Sequence, residues 1–330
     1  MKKYQVVGIG NAMVDVLAHA SDAFLAAAGV QKGVMQLIDM DRAVDLYARI
    51  GPAREISGGS AANTIAGIAH LGGRTAYVGK VKDDQLGAIF AHDLRAQGAD
   101  YATPFAPRDT AGETGRCIIL VTPDGERSMN TYLGVTEFLS PSDIFDDQMA
   151  AAEWIYLEGY RFDGPQSHEA FAKAIRASKG AGGRVSITLS DPFCVDRHRA
   201  AFRAMIRDDV DLLFANRAEL LSLYQTTDLD AALALAASEV EVVACTEGAN
   251  GAHIVTGGDR WHVAAIPTRI VDATGAGDLF AGAFLWGRST GCELETCGRM
   301  GCIAASEVIS HIGARPEADL RALFGQHGVI

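Results

Sequence analysis

Apolar and polar positions fall into two alternating regimes along the chain. Short runs dense in β-branched and aromatic residues, Gln5–Ile9, Thr75–Val78, Trp154–Leu157, Val185–Leu189, Leu212–Phe214 and Val240–Ala244, read as buried strands. Between them, apolar residues recur every three or four positions in Asn63–His70, Leu86–Gln97, Glu169–Ser178, Leu229–Ser238, Ala276–Trp286 and Glu295–Ser310, which predicts helices. Strands buried on both faces and separated by helices predict an α/β fold whose central sheet is mainly parallel.

One stretch breaks this rhythm. Thr114–Thr122 and Arg127–Leu133 flank Pro123-Asp124-Gly125, the pattern of a β-hairpin. A hairpin does not join a parallel sheet easily, so a small separate β lid is expected, drawn from segments near 12–40 and 102–135. No repeat, low-complexity tract or linker interrupts the chain, and residues 1–330 read as one domain with a lid.

With 330 residues and 48% hydrophobic content, the chain can bury a large core without a staple. Its 29 Lys and Arg against 41 Asp and Glu give a formal charge of -12, which excludes partners held mainly by a phosphate backbone. Neither nucleic acid nor a membrane surface is therefore expected as a partner, although local amides can still bind a phosphate. Six cysteines show neither Cys-x-x-Cys nor zinc spacing and suit a reducing compartment. The apolar stretch after Met1-Lys2-Lys3 is too short for a signal-peptide core, so a cytoplasmic location is expected.

Three glycine clusters carry candidate chemistry. Gly8-Ile9-Gly10-Asn11-Ala12-Met13 follows a strand but lacks the third glycine of a dinucleotide fingerprint; Asp15, just beyond it, reads either as an acceptor for ligand hydroxyls or as a turn residue. Ser57-Gly58-Gly59 leads to Asn63; the paired glycines permit close ligand approach and the amide both donates and accepts, while ordinary loops also use paired glycines freely. The third, Asp272-Ala273-Thr274-Gly275-Ala276-Gly277-Asp278, delivers two acids and free amides to the start of an apolar helix. A phosphoryl group would sit against that helix N-terminus, with Asp278 placed to take a proton from an attacking hydroxyl. Helix capping alone explains one aspartate, not the Gly-Ala-Gly between two.

Two further segments end strands. Asn216-Arg217-Ala218-Glu219 suits Mg²⁺ and equally suits a capping box. Thr246-Glu247-Gly248-Ala249-Asn250-Gly251 suits nucleotide phosphates and equally an ordinary turn.

Taken in order, Gly58-Gly59 with Asn63, Gly72-Gly73-Arg74, Gly79–Gly87, Asn216-x-x-Glu219, Thr246-x-Gly248-x-x-Gly251 and Asp272–Asp278 resemble the ribokinase-like (PfkB) family of carbohydrate and nucleoside kinases. The resemblance implies a Rossmann-like αβα sandwich with a small β-sheet lid. It further implies ATP held at Asn216, Thr246, Gly248, Gly251, Thr274, Gly275 and Gly277, with Mg²⁺ near Asn216 and Glu219 and a monovalent cation such as K⁺ near Asp272. Gly8-x-Gly10-Asn11-Ala12-x-x-Asp15, Arg127-Ser128-Met129, Leu189-Ser190-x-Pro192-Phe193 and Phe214-x-Asn216 are similar to the adenosine-kinase-like branch.

On that alignment Met129, Thr131, Leu133 and Phe193 form an apolar sleeve for a purine, and Asp15, Gly58, Gly59 and Asn63 hold the ribose. Asp278 is then the base, with the amides of Gly275, Ala276 and Gly277 stabilising the transferring charge. The expected reaction is ATP-dependent phosphorylation of a ribonucleoside 5′-hydroxyl, adenosine first, by a monomer or homodimer. A sugar kinase acting on ribose, fructose or a ketodeoxy sugar acid is the alternative, favoured by a polar slot and by Arg116 or Arg127 at the lid. A non-catalytic nucleoside sensor is the reading from another class, and it would be marked by loss of the base or the anion turn, both of which are present.

Overall fold

The computed structural model describes residues 2–330. Its fourteen strands are β1 (Tyr4–Ile9), β2 (Met13–His19), β3 (Met35–Leu37), β4 (Ala53–Gly58), β5 (Thr75–Val78), β6 (Ala99–Tyr101), β7 (Gly115–Val121), β8 (Arg127–Tyr132), β9 (Ala152–Glu158), β10 (Arg184–Thr188), β11 (Leu212–Asn216), β12 (Val242–Thr246), β13 (Ala252–Val255) and β14 (Arg260–Val263). Nine of them form the central sheet in the order β14-β13-β12-β11-β10-β9-β1-β5-β6. All its pairings are parallel except the closing β12-β13-β14 meander.

Alternation along β1 shows how the layers form. Val6 faces a core containing Ile65, Leu279 and Phe284, from helices Ser60–His70 and Ala276–Ser289. Val7 and Ile9 face the opposite core, with Phe171, Phe202 and Leu220 from helices Ser167–Gly180, Pro192–Asp209 and Arg217–Tyr224. Both faces of the sheet are thus covered, the expected αβα sandwich. Among the described residues, no helix is long and apolar enough to cross a membrane.

The lid is a second sheet, ordered β3-β8-β7-β2-β4. It is larger than the hairpin that the turn chemistry announced. Its first segment runs to Gly58 and not to about 40, because β4 pairs antiparallel with β2 from Met13↔Gly58 to Ala18↔Ala53. Val16, Ala18, Ile118 and Leu120 pack outward under Leu25, Ala28 and Leu46 of helices Asp22–Ala28 and Met40–Arg49. The chain's own helices therefore cover the lid's outer face. Met13, Leu17, Cys117 and Ile119 point inward.

The chain crosses between core and lid four times, and a buried polar pair ties three of the crossings. Glu158, at the end of β9, accepts from the amide of Asn11 at 3.3 Å and that of Ala61 at 2.8 Å. Arg161 donates to the Asn11 side chain at 2.9 Å, the Thr136 carbonyl at 2.7 Å and the Ser167 hydroxyl at 2.7 Å. Thr136 in turn accepts from the Ala12 amide at 2.9 Å. Arg161 is 1% exposed, so removing it strands several acceptors and the Glu158 charge without solvent. Arg161→Met is expected to lower stability by about 3–5 kcal/mol, measured by urea unfolding; a loss under about 1 kcal/mol would show that the crossings do not depend on it.

Candidate active site

A cleft of about 480 Å³ separates the lid's inner face from the carboxyl ends of the central strands. Ligands of open α/β sheets bind at this end, outside the strands. From the core come Thr188, Ala215, Asn216 and Thr246 at or near the ends of β10, β11 and β12, with the turn Ala273–Asp278; from the lid come Asp15, Cys117, Ile119, Arg127 and Met129.

Asp278 sits at the floor of this cleft. Its two carboxylate oxygens accept from the Ser60 hydroxyl at 2.6 Å and the Asn63 amide nitrogen at 2.9 Å. Burial pushes its carboxyl up to about 6, against the lowering effects of those two hydrogen bonds and of the Arg315 cation. The group is held in place yet close to its point of proton exchange.

The turn before it is shaped for an anion. Gly275, the N-cap of helix Ala276–Ser289, has φ 80 and carries no capping side chain. A Cβ there would come within 2.7 Å of the Ala314 methyl, so only glycine fits. A Cβ on Gly277 would meet nothing within 4 Å, which leaves its backbone open to the cleft. The helix's first amides are therefore available where its dipole is positive.

Asp272 is the brace of this turn. It is 1% exposed, accepts from the amide and hydroxyl of Thr274 at 2.9 and 2.6 Å and from the Gly313 amide at 2.9 Å, and pairs with Arg127 Nε at 2.8 Å.

The opposite wall carries the other carboxylate. Asp15 lies on β2 beside Cys117 of β7 and is 7% exposed. Burial pushes its carboxyl up to about 7; Arg315 pulls it down, while Asp278 and Asp272 push it further up. Gly58 leaves room for that carboxylate, since a Cβ would overlap it, and Gly59, at φ 98, has its absent Cβ position against the Asn11 carbonyl. The Asn63 carbonyl oxygen is buried without a partner. An orphaned acceptor beside two carboxylates marks a place for ligand hydroxyls.

At the end of β11, Asn216 and Glu219 form a reciprocal capping box. The Asn216 amide donates to Glu219 at 2.8 Å, its side-chain nitrogen to Glu219 at 2.6 Å, and the Glu219 amide to Asn216 Oδ1 at 2.9 Å. Glu219 is 5% exposed, and burial pushes its carboxyl up to about 7, with Asp191 and Asp278 adding to the rise.

Most residues singled out in the sequence meet here: Asp15, Gly59, Asn63, Met129, Asn216, Glu219, Thr246, Gly248, Thr274, Gly275, Ala276, Gly277 and Asp278 all line the cleft. Others do not. Thr131 turns its hydroxyl to Cys117 Sγ at 3.3 Å, and Leu133 packs into the lid core. Phe193 is 73% exposed, because Asp191 caps its helix through the amides of Phe193 and Cys194 and the ring points to solvent. Gly251, at φ 93, packs against the Val263 carbonyl, outside the cleft. Arg116 pairs with Glu113 and lines a separate cavity with Tyr47 and Glu55. The sequence reading missed Ser60, Tyr160, Ser190, Cys117 and Ile119 in the lining. The last two follow from the i, i+2 face of β7.

Fold and site together define a kinase that transfers phosphoryl groups to an alcohol. Residues 34–320 match the pfkB family of carbohydrate kinases, and the chain belongs to that family. It is similar to a probable sugar kinase from Rhizobium etli, at 49% identity and TM-score 0.94 over 100% of both chains. It is also similar to the adenosine kinase of Sinorhizobium meliloti, at 48% identity and TM-score 0.92, over 98% of this chain and 99% of that one. A fructokinase from Escherichia coli is 29% identical over 258 residues, 76% of this chain and 83% of its own.

The raised carboxyls of the cleft have a consequence for stability. Asp15 holds its proton up to about 7 when folded but loses it near 4 when unfolded, so it destabilises the fold as pH rises through that window. Asp15→Asn is expected to gain on the order of 1–3 kcal/mol at pH 7.5, with the gain shrinking as pH falls toward about 4. Thermal unfolding across that range checks this; a variant less stable than the parent at pH 7.5 contradicts it.

Proposed function

We propose that the chain transfers the γ-phosphoryl group of ATP to the 5′-hydroxyl of a ribonucleoside, adenosine first. One observation carries this reading: Asp278 is clamped by Ser60 and Asn63 at an uncapped helix N-terminus, across a cleft from Asp15. A hydroxyl placed between them would lose its proton to Asp278 as its oxygen attacks phosphorus. The amides of Gly275, Ala276 and Gly277 would meet the charge of the transferring group. Asp15 and the orphaned Asn63 carbonyl would accept the ribose hydroxyls, and Cys117, Ile119 and Met129 would offer the base an apolar wall.

Glu219 fits a role beside Mg²⁺. It is buried without a cationic partner, and its cap contacts leave lone pairs for water held by the metal, with Asn216 alongside. When bound, the ion would neutralise charge on the phosphate oxygens. Asp272 is a poorer fit for a monovalent cation. The Arg127 guanidinium already supplies positive charge there, and both carboxylate oxygens have amide donors.

A sugar kinase is the second reading, favoured by Arg127 in the cleft lining and by the similarity to a fructokinase. Arg127 is paired through Nε with Asp272, which balances its charge and so weakens its pull on a substrate carboxylate. Two measurements decide between the readings. In a thermal-shift and coupled ADP-release panel, adenosine should stabilise the protein and drive ADP formation; a response to fructose, ribose or ketodeoxygluconate but to no nucleoside would reverse the order. Asp278→Asn should cut turnover about a hundredfold or more while ATP binding persists.

The pH profile follows from the same carboxylate. A base whose carboxyl titrates at about 6 is lost as pH falls through that value, so kcat/KM should drop below about pH 6 and not near 4. A flat profile down to about pH 4.5 would remove Asp278, as described, from the base role.

A further inference from the structure

We infer that Arg315, in the loop between helices Leu294–Val308 and Leu320–Gln326, is a positioning residue of the phosphoryl-transfer site that clamps the Gly58-Gly59 turn from behind. It does not line the cleft. Nη1 donates to the Ala62 carbonyl at 2.6 Å, and Nη2 donates to the carbonyl and hydroxyl of Ser57, each at 3.0 Å. These carbonyls lie on either side of the turn, so one planar guanidinium fixes both of its flanks. The clamp is itself supported, because Asp93 accepts from the Ser57 amide at 3.0 Å and from its hydroxyl.

The same loop reaches the other half of the site. Gly313 donates to Asp272 at 2.9 Å, and Ala314 fills the space against Gly275. Three consecutive residues, Gly313 to Arg315, therefore tie the anion turn to the acceptor turn.

Arg315 also carries charge where the site has an excess of acid. Asp278 is faced by Glu158, Glu219, Tyr156 and Tyr160, and Asp15 by Asp272 and Cys117. Arg127 is committed to Asp272, which leaves Arg315 as the cation that pulls both Asp15 and Asp278 down.

The kinetic half of this inference rests on the proposed reaction; the structural half does not. Full-length Arg315→Gln and Arg315→Lys test both. Without substrate, backbone amides of residues 57–63 should exchange about tenfold faster in Arg315→Gln, with the lid helix 40–49 unchanged. Unchanged exchange at 57–63 overturns the clamp.

In turnover, Arg315→Gln should lower acceptor kcat/KM about tenfold, leave KM for ATP within about twofold, and move the acid limb up by about 0.5–1 pH unit. Arg315→Lys should keep the acid limb while losing part of the clamp. An unmoved acid limb and acceptor KM in Arg315→Gln overturn the positioning role. If Arg315→Gln does not fold, Arg315→Lys decides, since normal exchange at 57–63 in that variant would show that the fork is not needed. A parent protein that phosphorylates no acceptor counts against the proposed reaction, and amide exchange then decides on Arg315 alone.

Discussion

The architecture turns on one carboxylate held between two helix N-termini. Asp278 belongs to helix Ala276–Ser289, but its oxygens are engaged by Ser60 and Asn63 at the start of helix Ser60–His70. Both helices begin with a glycine at positive φ and without a capping side chain. Six other helices are capped by small polar residues, since Ser21, Asp39, Asp84, Asp191, Asp228 and Asp319 each accept from their own helix. At these two helices the glycine N-caps leave amides for a ligand and let the two turns approach each other. At Ala61 the missing cap is replaced from another strand, by Glu158.

That replacement ties the start of helix Ser60–His70 to the crossings between core and lid. Asn11, Ala61 and Thr136 mark three passages of the chain between sheets, and the Glu158–Arg161 pair holds all three through backbone or side-chain contacts. Glu158 and Arg161 therefore form a buried polar hub at these crossings, next to the Gly58-Gly59 turn. On the proposed reading, a lid closing about this hub would bring Asp15, Cys117 and Met129 toward the bound reactants while Ser60 and Asn63 stay on Asp278. The hub is expensive in desolvation, since burial pushes Glu158 up to about 7 and lowers Arg161. Such groups are better explained by the geometry they impose than by stability.

Much of this was readable in the chain. The six strand runs all fall within or beside observed strands, and the glycine turns reached the cleft because their spacing encodes backbone shape directly. What escaped was long-range. In β2, Met13–His19 follows β1 with only a short crossing, so no turn signal announces a change of sheet. β3 and β6 are three residues each, too short to show a period. Arg315, Arg161 and Glu158 sit in no motif, and apart from Ser167, six residues from Arg161, their partners lie more than twenty residues away. Phe193 shows the reverse failure: a residue carried over by alignment is turned outward by a local cap that the alignment does not encode.

The cleft's polarity bears on which alcohol it accepts. A sugar acid favours a cation whose charge is not already balanced, whereas Arg127 is paired through Nε with Asp272 and Arg315 donates to the carbonyls of Ser57 and Ala62 behind the cleft. A neutral polyol would satisfy Asp15 and the Asn63 carbonyl but leave Cys117, Ile119 and Met129 facing water. On the proposed reading a nucleoside would satisfy both sets at once, its ribose meeting the acceptors and its base covering the apolar lid face. Burying that face would also remove water from around Asp278, and water is the competing acceptor of the phosphoryl group. The same contact that selects the substrate would then protect the reaction.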